Sequence, residues 1–199
     1  MKRTLILFLL AGLMMTAFAR MPVNEGTFVH EDLGFEVMVP NGWGGNRTPW
    51  GLSVIDAPHG ELDGAKEQPG GYMVMLMDRR AKDSELEKLI ADVNQMGIDL
   101  VRGDMLKKMR REGTNMRHFI LEEVELDGIT WIRHRSVDLV PGLPGVFDST
   151  TVIQEQYMSL NEIDGRHYRM VFNAPAKFWP SYEGTFQSVA ESFRRMENE

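Results

Sequence analysis

Apolar and polar residues alternate with a period of two along much of this chain, and with a helical period over two stretches. Phe35, Val37 and Val39 share one face of an extended run that follows Phe28 to His30. This predicts a strand pair joined by Glu31-Asp32-Leu33-Gly34. Pro40-Asn41-Gly42-Trp43 ends the second strand, because proline cannot donate to the ladder and glycine weakens it. Leu52 to Asp56 reads as a short third strand, and the almost wholly apolar Tyr72 to Met77 as one covered on both faces. From Ser84 the period changes. Ser84 and Glu87 form a capping box, and Leu86, Leu89, Ile90, Val93, Met96 and Leu100 recur three and four apart. The stripe continues through Met105, Leu106 and Met109 to Gly113. Gly97 and Gly103 interrupt it, each costing about 1 kcal/mol relative to alanine, so a kink or two helices is expected.

Two hairpins follow, each marked by Asp-Gly: Glu125-Leu126-Asp127-Gly128 and its echo Glu162-Ile163-Asp164-Gly165. Asp-Gly between alternating apolar runs favours a tight turn in which both central residues take positive φ. Counting back from the turns puts Val124 opposite Trp131 and Glu122 opposite Arg133 in the first hairpin. In the second it puts Tyr157 opposite Phe172, Met158 opposite Val171 and Glu162 opposite His167. Pro141 to Asp148 separates the two hairpins. A helix from about Ser181 to Met196 closes the chain, with Tyr182, Phe186, Val189, Ala190 and Phe193 as its buried stripe. Hairpin links dominate, so the expected class is α+β, a mostly antiparallel sheet flanked by helices.

Composition adds a compartment. Lys2 and Arg3, the apolar run Leu5 to Met15 and the small-x-small triplet Ala17-Phe18-Ala19 read as a signal peptide over residues 1–19. The run is too short for a stable membrane span, which needs roughly 20 apolar residues. Residues 20–199 are then expected to form one domain. Removing Lys2 and Arg3 leaves 20 basic against 29 acidic residues, or −9. So acidic a chain is poorly suited to nucleic acid or to general binding of anionic membranes. The absence of cysteine excludes disulfides, thiol nucleophiles, cysteine-held metals and lipid attachment at a processed N-terminus. The short charged start looks bacterial, and the expected destination is the periplasm or the exterior, not as a lipoprotein.

Candidate chemistry is sparse. Asp56, His59, Glu61 and Asp63 fall together in the Gly- and Pro-rich stretch Ala57 to Gly71, where oxygens and an imidazole fit a divalent cation; charges that keep a loop solvated explain them as well. Arg133 and Arg135 project from one face of an alternating strand, an arrangement open to an anion or a partner, although Glu122 opposite Arg133 offers a cross-strand ion pair. His134, opposite Leu121, reads as a partly buried structural histidine. No Gly-x-Ser-x-Gly elbow or phosphate-cradling loop is present. Methionines 73, 75 and 77 sit at strand spacing and 96, 105 and 109 at helix spacing, which core packing explains.

The arrangement resembles the PsbP/Mog1-like superfamily, including bacterial PsbP-related and DcrB-like secreted proteins. The carrying features are Gly34-Phe35 through Pro40-Asn41-Gly42-Trp43, the capped helix after the central strand, the Asp-Gly hairpins, and the terminal helix ending Glu191-Ser192-Phe193-Arg194. The resemblance implies an α-β-α sandwich in a family of mostly non-catalytic accessory or binding proteins. The resulting expectation is an exported, non-enzymatic accessory protein that contacts another protein, with no cofactor. A small-ligand or metal-binding periplasmic protein is the alternative. Asp56, His59, Glu61, Asp63, Arg133 and Arg135 are the candidate binding residues.

Overall fold

Asp127 and Gly128 both adopt positive φ, 53° and 68°, as the tight turn requires. About this turn Glu122 pairs with Arg133 and Val124 with Trp131, the register predicted from sequence. The computed structural model describes residues 21–23, 25–56, 72–78, 84–140, 150–162 and 167–196. Its strands are β1 (Met21–Val23), β2 (Gly26–His30), β3 (Phe35–Val39), β4 (Gly44–Thr48), β5 (Gly51–Ile55), β6 (Tyr72–Asp78), β7 (Ile120–Leu126), β8 (Ile129–Val140), β9 (Thr150–Ser159), β10 (His167–Pro175) and β11 (Arg194–Arg195). The helices are α1 (Ser84–Met96), α2 (Ile98–Glu112) and α3 (Trp179–Glu191). Among the described residues eight strands form one sheet, ordered β1-β4-β5-β6-β10-β9-β8-β7, and three form a second, ordered β11-β3-β2. The strand pairs are antiparallel, and the class is α+β, as the pattern of hairpins implied.

Alternation along the strands gives the large sheet two buried faces. One carries Trp131, Tyr157, Tyr168 and Phe172 against Trp179 and Phe186 of α3, and against Phe35 and Val37 of the small sheet. The other carries Leu121, Ile132 and Met158 against Val93 of α1 and Val101 of α2. The sheet therefore lies between α1 and α2 on one side and α3 with the small sheet on the other. Phe193 closes the aromatic layer, fully buried with ring centres 5.1 Å from Trp131 and 5.2 Å from Tyr168.

Several details depart from the expectations. The helical stretch is two helices, one of the two expected outcomes, and the break falls at Gly97 with φ 84°, whereas Gly103 sits inside α2 without a break. The closing helix begins at Trp179 and stops at Glu191; Arg194 and Arg195 are extended and pair with Glu36 and Phe35 of β3. The second hairpin is displaced by two residues, with Tyr157 opposite Met170 and Met158 opposite Arg169. A two-residue slip leaves every side chain on its own face, so burial patterning does not distinguish the two registers. Strands β1 and β4 were not anticipated. β4 opens with Gly44-Gly45, which looks like loop, yet a Cβ at Gly45 would lie 2.1 Å from the Ser53 carbonyl oxygen. That glycine allows the β4–β5 pairing rather than interrupting it.

Candidate functional site

Antiparallel pairing of β8 with β9 places Arg135 opposite Glu155 and Arg133 opposite Tyr157, and β7 adds Glu122 beside Arg133. These five side chains emerge on the face covered by α3, since cross-strand neighbours share a face. Arg135 Nε donates to Glu155 Oε2 at 2.6 Å and Arg133 Nη2 to the same oxygen at 3.1 Å. The Tyr157 hydroxyl donates to Glu155 Oε1 at 2.9 Å. Arg133 Nη1 reaches Glu122 Oε1 at 3.0 Å, and Arg135 Nη2 reaches Glu183 Oε1 of α3 at 2.6 Å. The Arg135 guanidinium also lies 5.0 Å from the centre of the Trp179 ring. Glu155 is 1% exposed and Arg135 6%, so this is an ionic cluster inside the core. Charges survive there only when paired and hydrogen-bonded, as these are.

The cluster also fixes α3. Adjacent helical residues point about 100° apart, so Tyr182 and Glu183 reach opposite flanks of the sheet. Glu183 takes Arg135 of β8, and the Tyr182 hydroxyl donates to Asp56 Oδ2, just past β5, at 2.5 Å. The first turn of α3 is thus tied on both sides, while Trp43 packs edge-on against Tyr182 and Phe186 beneath it.

Chemically the cluster is closed apart from Arg133 Nε, which is buried without a hydrogen-bond partner among the described residues. Both Glu155 oxygens accept hydrogen bonds, and the two guanidiniums face three carboxylates. Burial, followed by the nearby Glu155 charge, pushes the Tyr157 phenol well above its ordinary value and keeps it protonated. Such a set holds charge in place.

Of the sequence-derived candidates, Arg133 and Arg135 meet in this cluster, and Glu122 pairs with Arg133 as the register predicted. Asp56 lies at the far flank of α3. His59, Glu61 and Asp63 fall outside the described residues, and among those described no three His, Asp or Glu residues are grouped to hold a metal. His134 sits on the opposite face, opposite Leu121 and edge-on to Phe119 at 6.0 Å, and burial lowers its pKa. Trp43 is buried and Trp50 is 59% exposed. Glu155 and Glu183 were not singled out from sequence. The available signal was Ile153-x-Glu155-x-Tyr157, an acid on the apolar face of an alternating strand. Glu183 had no comparable signal, because its partner lies 48 residues away.

An open groove of about 570 Å³ runs between Gly26 and Thr27 of β2, Met38 to Asn41, and Gly184, Thr185 and Ser188 on α3. These residues are small or uncharged and come from segments remote in sequence, which left no local motif to recognise.

The architecture is an α+β sandwich built on an antiparallel sheet. No protein-family model matches the chain, and no curated protein does. Among solved structures the chain is similar to cyanobacterial PsbP (CyanoP) from Synechocystis sp. PCC 6803, at 12% identity over 90% of this chain and 95% of that one, with a TM-score of 0.46. It is also similar to LpqN, involved in cell envelope biogenesis of Mycobacterium tuberculosis, at 12% identity over 94% and 95%, with a TM-score of 0.46. A Bacteroides thetaiotaomicron structure is similar at 7% identity and a TM-score of 0.46, with 88% of this chain covering 50% of that one. A PsbP protein, of the family that the sequence resembles, is therefore among the structural neighbours. Among the described residues no helix is long and apolar enough to cross a membrane.

Proposed function

We propose that this is an exported, non-enzymatic accessory protein that works by binding another protein. The observation that carries the proposal is the closed ionic cluster: Arg133, Arg135, Glu155 and Glu183, the charges gathered beneath α3, are spent on one another and on fixing that helix. A rigid sheet-and-helix body suits the presentation of recognition loops. The stretch from Asp56 to Gly71 is the first candidate contact surface, and its first residue is anchored by Tyr182. The stretch Pro141 to Asp148, between β8 and β9, is the second.

Cross-linking in intact cells, followed by mass spectrometry, tests the reading. A specific cross-linked protein is expected with the parent chain and is lost when residues 57–70 or 142–147 are replaced by short Gly-Ser links. Absence of any specific adduct, or an adduct indifferent to both replacements, sinks the proposal. The N-terminus of the exported form is expected at Arg20; an intact residue 1 would remove the export part of the reading.

A further inference from the structure

We propose that the solvent face of α2 docks onto an anionic bilayer surface, an inference that does not depend on the protein-contact reading. Ile98, Val101 and Met105 turn α2 toward Leu121, Ile132 and Met158. The helical repeat then places Leu100, Asp104, Lys107 and Arg111 along one outward stripe, with Lys108 and Arg110 on its flanks. From Met105 to His118 the chain carries five Lys or Arg residues against the single acid Glu112, within a protein of formal net charge −7. Lys107 pairs with Asp104 at 3.0 Å. Lys108, Arg110, Arg111 and Arg117 are exposed and make no ion pair among the described residues.

Cations near a helix C-terminus complement its dipole. Here that end is already closed by the Gly113 and Thr114 amides, which donate to the Arg110 and Met109 carbonyls, and Arg117 lies beyond the helix. Only Arg110 and Arg111 lie in the last turn, so the dipole does not account for Lys107, Lys108 or Arg117. Large apolar side chains are exposed at both ends of α2: Met96 (43%) and Leu100 (64%) at its N-terminal end and Met116 (36%) just past its C-terminus. A basic helix face with exposed apolar groups at its two ends matches the bilayer interface, where headgroup charge meets the acyl boundary. The stripe offers no aromatic ring on which a base would stack, which disfavours single-stranded nucleic acid. The acidic remainder of the molecule is repelled by the same bilayer, so the field also sets orientation. Net charge alone argues against membrane binding; its distribution argues for one docking face.

Flotation with vesicles tests this, comparing pure phosphatidylcholine with vesicles containing about one-third phosphatidylglycerol, at salt of about 20 mM and about 500 mM. The parent protein is expected on phosphatidylglycerol vesicles at low salt only. At about fivefold per neutralised cation, K107Q/K108Q/R110Q/R111Q lowers partitioning roughly several hundredfold. Leu100→Ser lowers it severalfold, and both variants still unfold cooperatively on heating, which shows that the loss of binding is not loss of the fold. Arg111→Glu supplies a second variant should the quadruple one fail to fold. Parent and variants share the same N-terminus, so their difference isolates the helix. No salt-sensitive binding by the parent, or equal binding by the charge variants, overturns the proposal. So does binding to polyglutamate as tight as to vesicles with Leu100→Ser without effect, which would assign the face to an acidic polypeptide.

Discussion

Removing the Glu155 carboxylate would leave two guanidiniums buried around a missing partner. Breaking a buried ion pair from one side destabilises by about 3–5 kcal/mol, whereas an exposed pair contributes about 0–1 kcal/mol. Glu155→Ala is therefore expected to cost several times what Glu122→Ala costs, since the Glu122 side chain is 43% exposed. Urea unfolding of the two variants checks this, and equal losses would show that the core does not depend on the cluster. The histidines set a pH dependence. His30 is fully buried, with Nε2 3.0 Å from the Thr48 carbonyl oxygen, and burial holds both it and His134 below the ordinary imidazole value. Well above pH 6.5, the ordinary imidazole value, neither the folded nor the unfolded histidines bind protons, and their contribution is fully present. As pH falls below that value the unfolded chain takes up protons that the folded chain refuses, so stability declines until the folded imidazoles titrate. Each contributes a slope of up to about 1.4 kcal/mol per pH unit in that window. His134→Leu should flatten the decline in denaturant unfolding followed from pH 7.5 to 5; an unchanged slope would refute its burial as a neutral group.

At the scale of elements, turn chemistry and alternation carried the local prediction a long way. The Asp127-Gly128 turn fixed its hairpin to the residue, and with it the Glu122–Arg133 pair. The second hairpin slipped because a shift of two residues preserves every face. Strand β4 was hidden because its defining residue is a glycine, and its requirement becomes visible only when β5 lies alongside. Gly45→Ala is expected to destabilise by about 1–3 kcal/mol through overpacking against the Ser53 carbonyl. Loss of protection in β1 and β4 amides should accompany it, and an unperturbed edge would contradict the close approach. Helix α3 offers a second test. Tyr182→Phe and Glu183→Ala cut its ties to Asp56 and Arg135 on opposite flanks. The two ties share no partner, so their losses are expected to add within about 0.5 kcal/mol in a double-mutant cycle. Strong coupling would show that α3 docks through one all-or-none contact instead.

Across the whole molecule the two faces of the large sheet are covered unequally. Among the described residues the α3 side buries Trp131, Phe172, Trp179, Phe186 and Phe193, while the α1–α2 side buries Val93, Val101, Leu121, Ile132 and Met158, with Phe119 and Met105 only partly buried against them. Smaller side chains remove less apolar surface from water, so α1 and α2 form the weaker layer. Hydrogen exchange should release α1 and α2 amides by local opening before those of β8 to β10 and α3; the reverse order would mean that the aromatic layer is not the stable centre. What this chain's residues settled unaided were those features that depend on near neighbours: the alternation that makes sheet, the Asp-Gly turn, the amphipathic stripes of α1 and α3, and hence the α+β class. Only the tertiary structure decided which strands lie side by side, and so brought Glu155 to Arg135 and Glu183 to the same guanidinium. The physical reason is that hydrophobic periodicity specifies a face but not a partner. Contacts between residues 20 and 48 positions apart follow from sheet order, which no local spacing encodes.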